Sequence, residues 1–169
     1  MTDERGIKLL QTEIMGQSLA LETRKGLFSP GHIDRGTLAM LSHVNFVSGM
    51  RIMDLGCGCG VVGIVAAKIA GEENVFMSDA DPEAVEAARR NAERNGVGGV
   101  RVCLSDGFRD VDASGFDLIL STNILIFEFQ DLLKLKSGSH TDLEQNIVFI
   151  IYLAKCLFEA FQCFVILNW

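Results

Sequence analysis

Seven consecutive residues constrain this chain more than any others: Asp54-Leu55-Gly56-Cys57-Gly58-Cys59-Gly60. The short apolar run before them, Arg51-Ile52-Met53-Asp54-Leu55, predicts a strand, and the small-residue run Val61 to Ala70, closed by Gly71, predicts a helix. A chain that leaves a strand and enters a helix at once needs glycine. Glycine reaches backbone angles closed to other residues and lets a ligand approach the main chain. The helix that follows offers unbonded N–H groups and the positive end of its dipole. An acid, three alternating glycines and a second acid, Asp79, at the end of the next predicted strand together imply a ligand site rather than a bare turn.

The rest of the first 121 residues repeats the same grammar. Asn74 to Ser78 predicts a second strand. Asp81 caps a helix with Pro82 at its first position, Val85, Ala88 and Ala92 on its buried face, and Asn95-Gly96 as its stop. Val100 to Leu104 and Phe116 to Ser121 predict two further strands. Strands alternating with helices imply a parallel sheet with right-handed crossovers. Upstream, Leu10, Thr12 and Ile14 alternate before Gly16-Gln17, and Leu19, Leu21 and Thr23 alternate after it, which predicts a β-hairpin over 7–24. Gly26-Leu27-Phe28-Ser29-Pro30-Gly31 is a loop by composition. A short helix with Leu38, Met40 and Leu41 among its apolar residues is expected after it. The expected fold class is therefore α/β, a Rossmann-like sheet with helices on both faces behind an N-terminal hairpin. Residues 1–121 form the ligand-binding domain, comprising the hairpin, an approach segment over 26–43 and a core over 50–121.

Two ligands compete for the glycine loop. Gly58-Cys59-Gly60-Val61-Val62-Gly63 matches the dinucleotide fingerprint G-x-G-x-x-G, and Asp79 lies near the distance at which an acid holds a ribose. This is the case for a nicotinamide oxidoreductase. Against it, the match starts late, because a dinucleotide loop places its first glycine directly after the strand, where Asp54 sits here. A carboxylate there repels a diphosphate and suits a ligand with a cationic amino group. S-adenosylmethionine has such a group together with a ribose and an adenine.

The same residues resemble motif I of class I S-adenosylmethionine-dependent methyltransferases. Gly26-Leu27-Phe28-Ser29-Pro30-Gly31-His32-Ile33-Asp34-Arg35-Gly36-Thr37 is similar to the approach segment of the "small domain" methyltransferases, the relatives of bacterial 16S ribosomal RNA guanine-N2 methyltransferases. The resemblance spans roughly residues 7–121. It implies that Asp54, Gly56, Cys57, Gly58 and Gly60 surround the methionine portion of the cofactor. It implies that Asp79, followed by Ala80, binds the ribose hydroxyls, that Asp106 with Gly107 reaches the adenine amino group, and that Phe28, Asp34 and Thr37 line the pocket from the approach side. An RNA partner, ribosomal by resemblance, is expected with it.

The resemblance stops abruptly. The family carries Asn-Pro-Pro-aromatic after its fourth strand, where Asn and a Pro carbonyl hold the amino group that takes the methyl. This chain has Thr122-Asn123-Ile124-Leu125-Ile126-Phe127, leaving Asn123, displaced by one position, as the candidate catalytic residue. Composition changes at the same point: residues 122–169 hold eight of the thirteen aromatics, one of the seventeen glycines and neither proline. A frameshifted or truncated reading frame gives this pattern, so the sheet is expected to be incomplete on its C-terminal side. A chain that keeps the donor pocket and loses the acceptor motif is alternatively a non-catalytic cofactor-binding remnant. Thr141-Asp142-Leu143-Glu144 has capping-box spacing, and the apolar run from Ile147 to Leu167 predicts one long helix. A helix over 146–169 is long enough to span a membrane. Lys155 and Glu159 within it favour docking on the sheet instead.

The net charge of -7 gives no bulk attraction to nucleic acid, so RNA would have to meet a local patch. The opening residues show no secretory pattern, and five irregularly spaced cysteines read as free thiols of a cytoplasmic protein. Cys57 and Cys59 have no second pair at ligand spacing, so no metal is expected.

Overall fold

The computed structural model describes residues 7–24, 32–121, 148–153 and 162–166. Phe28, Asn123 and Thr141 to Glu144 lie outside these described residues. The elements are β1 (Ile7–Ile14), β2 (Gln17–Arg24), α1 (Arg35–Leu41), β3 (Ile52–Leu55), α2 (Val61–Ala70), β4 (Val75–Asp79), α3 (Pro82–Arg94), β5 (Arg101–Leu104), β6 (Leu118–Ser121), β7 (Val148–Leu153) and β8 (Gln162–Ile166).

β3 to β8 form one six-stranded sheet in the order β5-β4-β3-β6-β7-β8. All neighbours run parallel except β8, which is antiparallel to β7. The chain steps outward from β3 through β4 to β5, then returns to place β6 on the other side of β3. Right-handed crossovers put both outward steps on one face. Ile52, Val75, Met77, Leu118 and Leu120 of the strands accordingly share a core with α1 (Met40, Leu41), α2 (Val62, Ile64, Val65) and α3 (Ala88, Ala92). The alternate strand residues Met53, Leu55, Phe76 and Ile119 face the opposite way. There the return segment between β5 and β6 covers them through Phe108, Val111, Ala113 and Phe116.

The long helix expected over Ile147 to Leu167 is not what forms. Within that run the chain makes β7 and β8, which pair residue by residue, Phe149 with Ile166 and Leu153 with Gln162. The segments Val148-Phe149-Ile150-Ile151-Tyr152 and Phe164-Val165-Ile166 are rich in β-branched and aromatic residues. Such an uninterrupted apolar run is also what a parallel strand buried on both faces looks like. The membrane-spanning alternative rested on that helix. Among the described residues no helix is long and apolar enough to cross a membrane.

The hairpin forms as expected, but its turn lies one residue earlier. Ile14 pairs with Gln17, which leaves Met15 and Gly16 as the two turn residues, both at positive φ (51° and 73°). This is the two-residue loop whose twist suits a hairpin. The alternation does report the buried side: Ile14, Leu19, Leu21 and Thr23 are buried. α1 also differs in detail, since Leu38 is exposed while Thr37, Met40 and Leu41, spaced three and four apart, face inward.

The hairpin is held to the domain by α3. Asn91 and Asn95, one turn apart, each treat a β2 residue as a strand would. Asn95 accepts from the Ala20 N–H (2.9 Å) and donates to its carbonyl (2.9 Å). Asn91 accepts from the Glu22 N–H (2.6 Å) and donates to its carbonyl (3.0 Å). The Glu22 carboxylate is clasped between Arg90 and Arg94. The outer edge of β2 is thereby satisfied by side chains, which closes it to another strand.

Met15 holds a left-handed conformation that costs a side-chain-bearing residue roughly 1 kcal/mol. Met15→Asn creates the Asn-Gly pair that this turn favours. It should raise the urea midpoint by an amount equivalent to about 0.5–1 kcal/mol, and an unchanged or lower midpoint would count against the turn assignment.

Candidate ligand-binding site

In an open parallel sheet, ligands settle beyond the carboxyl ends of the strands where the strand order reverses. Here that point lies between β3 and β6, and the glycine loop leaves β3 beside it. The loop is built by three glycines at positive φ: Gly56 (73°), Gly58 (55°) and Gly60 (88°). Each turn is anchored. The Gly56 and Cys57 N–H groups both donate to the Ser78 carbonyl at the end of β4, at 2.8 and 2.9 Å. The Gly58 N–H donates to Asp79 Oδ2 at 2.8 Å. Gly60 caps α2, and a Cβ there would sit 3.3 Å from the α3 backbone at Ala88. A Cβ on Gly58 would meet nothing within 4 Å, so that part of the loop faces open space.

Two carboxylates meet at this loop. Asp54 is almost wholly buried, 3% exposed, and its Oδ2 accepts from the Gly63 N–H at 2.8 Å. Burial is the main reason that its carboxyl is pushed up from 3.8 to about 7. The Gly63 hydrogen bond works against that shift, and the negative charge of Asp79 adds to it. Asp79 sits at the end of β4 with one oxygen on Gly58 and the other accepting from the Asp81 N–H at 2.9 Å. No Lys, Arg or His pairs with either acid among the described residues. The N–H that a diphosphate would seek at the start of α2 is already held by Asp54. This donor set therefore fits a cationic group and disfavours the dinucleotide alternative.

Gly63 is as constrained as the loop glycines, for a different reason. Any Cβ at this position would overlap the Met77 side chain and lie 3.2 Å from Asp54 Oδ2. The absence of a side chain is what lets α2 approach β3 and β4 closely enough to make the Asp54 bond.

Burial, with the charges of Asp54 and Asp79 adding to it, pushes the Cys57 thiol well up; burial likewise takes Cys59 to about 11. Both are free, as is Cys103. No group of three or more metal-ligating side chains comes together among the described residues.

The structure brings together Asp54, Gly56, Cys57, Gly58, Gly60 and Asp79, six of the expected residues. Ala80 follows Asp79 and is exposed. Asp106 and Gly107 follow β5, which is tied to the site because the Ser105 N–H donates to the Asp79 carbonyl at 2.9 Å. The Asp106 side chain is 67% exposed and pairs with Arg109 at 3.2 Å. Gly107 turns at φ 66°, where its carbonyl accepts from Ser105 Oγ. Asp34 and Thr37 are engaged with each other. Asp34 caps α1, accepting from the N–H groups of Gly36 (2.7 Å) and Thr37 (3.0 Å) and from Thr37 Oγ1 (2.6 Å). That bond uses the hydroxyl donor of Thr37 within the helix cap.

One residue escaped sequence reasoning. Asn91 is completely buried and donates to the Cys59 carbonyl at 2.9 Å, in the middle of the glycine loop. The signal was present: Val85, Ala88, Asn91 and Asn95 follow helical spacing, so Asn91 stands on an apolar stripe, and a buried polar side chain is the informative kind.

Two substitutions separate these effects. On folding, the Asp54 carboxyl takes up a proton across the range between 3.8 and about 7. Its contribution to stability is most favourable below that range, declines as pH rises through it and is level above it. Asp54→Asn should therefore flatten the pH dependence between those values. At pH 8 it should raise unfolding free energy by on the order of 2 kcal/mol, with its new amide N–H groups limiting the gain. Urea titrations at pH 5 and 8 would read this, and a loss of stability at pH 8 would contradict the charge assignment. Gly63→Ala should cost about 1–3 kcal/mol by overpacking against Met77, and a neutral result in the same titration would contradict the close approach.

The family described as "Methyltransferase small domain" matches residues 18–123. The ribosomal RNA small subunit methyltransferase C of Hahella chejuensis is 37% identical over 117 residues, 69% of this chain and 33% of that protein. The ribosomal protein L11 methyltransferase of Thermosipho africanus is 47% identical over 89 residues, 51% of this chain and 33% of that protein. The chain thus spans about a third of the length of these curated relatives. Among solved structures, a T. thermophilus 16S rRNA N2 methyltransferase in complex with AdoMet and guanosine superposes with a TM-score of 0.68. It is 19% identical and covers 89% of this chain and 43% of that one, a likeness of fold. With the family match covering most of its length, this chain belongs to the methyltransferase small domain family.

Proposed function

We propose that this chain binds S-adenosylmethionine at the glycine loop and forms the methyl-donor half of an RNA methyltransferase. The observation that carries this is the meeting of Asp54 and Asp79 at an open glycine loop, where no cation among the described residues pairs with either. A ligand that brings a sulfonium and an ammonium answers that charge. Bound there, it supplies an electrophilic methyl group. The chain's own residues do the rest. The Gly56 to Gly60 backbone holds the methionine portion. Asp79, whose carboxylate oxygens each have a lone pair left after their backbone bonds, takes the ribose hydroxyls. Asp106 exchanges Arg109 for the adenine amino group, and the resemblance assigns Phe28 to the pocket lining.

An RNA acceptor is supported by the relative named as a small-subunit ribosomal RNA methyltransferase. A guanine exocyclic amine in ribosomal RNA, met in the cytoplasm, is the substrate we infer. Methyl transfer of this kind needs an in-line nucleophile and exclusion of water more than covalent help. Holding the nucleophile is the task of Asn-Pro-Pro, and this chain has Thr122-Asn123-Ile124-Leu125 there. Asn123 is the side chain left to accept a hydrogen bond from the amine. We therefore infer cofactor binding with weak turnover. A reading frame altered after Ser121 explains the loss, and sequencing the coding DNA for a one-base change that restores Asn-Pro-Pro tests that origin.

Thermal shift distinguishes the ligands. A ligand that binds only the folded chain stabilises it by RT ln(1 + [L]/Kd), about 2.7 kcal/mol at a hundredfold excess over Kd. S-adenosylmethionine should raise the Tm and NAD should not. The reverse result ends the proposal. Tritium transfer from labelled S-adenosylmethionine to undermethylated small-subunit RNA should be slow or absent, and rapid transfer would show that the acceptor half works without Asn-Pro-Pro.

A further inference from the structure

We propose that Asn91 is a positioning residue that couples the N-terminal hairpin to the glycine loop, so that hairpin docking and ligand occupancy reinforce each other. The ligand half of this rests on the methyl-donor function proposed above.

Asn91 commits both of its amide protons and its carbonyl oxygen to two segments far apart in sequence. Its oxygen accepts from the Glu22 N–H (2.6 Å), and its Nδ2 donates to the carbonyls of Glu22 (3.0 Å) and Cys59 (2.9 Å). The amide is fully buried, so a displaced segment finds no water to replace it. Cys59 is a sensitive place to hold the loop. The residue before it, Gly58, donates to Asp79, and the residue after it, Gly60, begins α2. Fixing the Cys59 carbonyl orients both peptides that frame the open side of the loop. A hairpin that undocks removes two of the three bonds that orient the Asn91 amide, freeing it to turn from Cys59. A ligand that fixes the loop holds the amide in the orientation that β2 needs.

The fold contains its own control. Asn95 grips the same β2 edge at Ala20 with the same geometry, but its remaining bond goes to the Asn91 carbonyl and none goes to the loop. A purely structural clasp treats the two asparagines alike, whereas coupling singles out Asn91.

The test uses the full chain with S-adenosylhomocysteine as probe, comparing N91A with N95A by calorimetry and by amide hydrogen exchange. Both variants should loosen the hairpin. N91A should weaken ligand affinity about tenfold, within the usual range for coupled sites, while N95A stays within about twofold of the parent. Equal losses, or a parental affinity in N91A, overturn the proposal. N91D, which keeps the acceptor for the Glu22 N–H and loses the donors to the Glu22 and Cys59 carbonyls, stands in if N91A does not fold. In the parent chain the probe should slow exchange at the Glu22 amide more than at amides bonded between β1 and β2, and uniform slowing overturns the coupling. If the parent binds no probe, the methyl-donor function fails. The coupling is then decided by ligand-free exchange at Gly58 and Gly60, where faster exchange in N91A than in N95A supports it and equal rates overturn it.

Discussion

The hydrogen bond from the Gly63 N–H to the Asp54 carboxylate fixes the geometry on which the rest of the domain depends. It joins the end of β3 to the first turn of α2, and only a residue without a side chain lets the two come so close. The bond does not remove the cost of burying a charge. It leaves a buried carboxyl pushed up to about 7, flanked on the neighbouring strands by Met77 and Leu120. The carboxyl thus secures the junction of β3 and α2 while lowering stability at neutral pH, a cost that a buried group beside an open glycine loop is expected to carry where recognition needs its charge.

Much of this was legible in the residues because local and global signals agree over 52–121. Asp81-Pro82 caps and starts α3, Gly71 ends α2, and three alternating glycines announce a loop that must turn sharply. The hairpin turn was displaced by one residue because Gly16 attracts the assignment while its neighbour Met15 shares the left-handed conformation, which nothing in a methionine advertises. Asp34 and Thr37 were expected at a pocket because they stand in a segment similar to one that lines it, yet their polar atoms satisfy a helix end first. Side chains that cap and side chains that bind are drawn from the same residue types, and sequence does not say which demand is met.

The error over 147–167 is of another kind. A continuous apolar run is compatible with a buried helix or with strands buried on both faces, and periodicity does not choose between them. The capping-box spacing of Thr141 to Glu144 ahead of the run favoured one long helix. What decides it in the fold is pairing: β6 offers an open edge, and a β-branched segment can satisfy its backbone there. That information lies in the partner strand rather than in the segment.

The positive-φ glycines of the loop carry one further consequence. The shape of Gly56 to Gly60 is set by backbone chirality and by bonds to Ser78, Asp79 and Asn91, all of them made by the chain itself. Because one of those bonds comes from Asn91, the order of the loop is shared with the hairpin, and part of the entropic cost of organising it is met in folding rather than in binding. What distinguishes one molecule from another at such a loop is then the fit of its charge and shape to a backbone that folding has largely arranged.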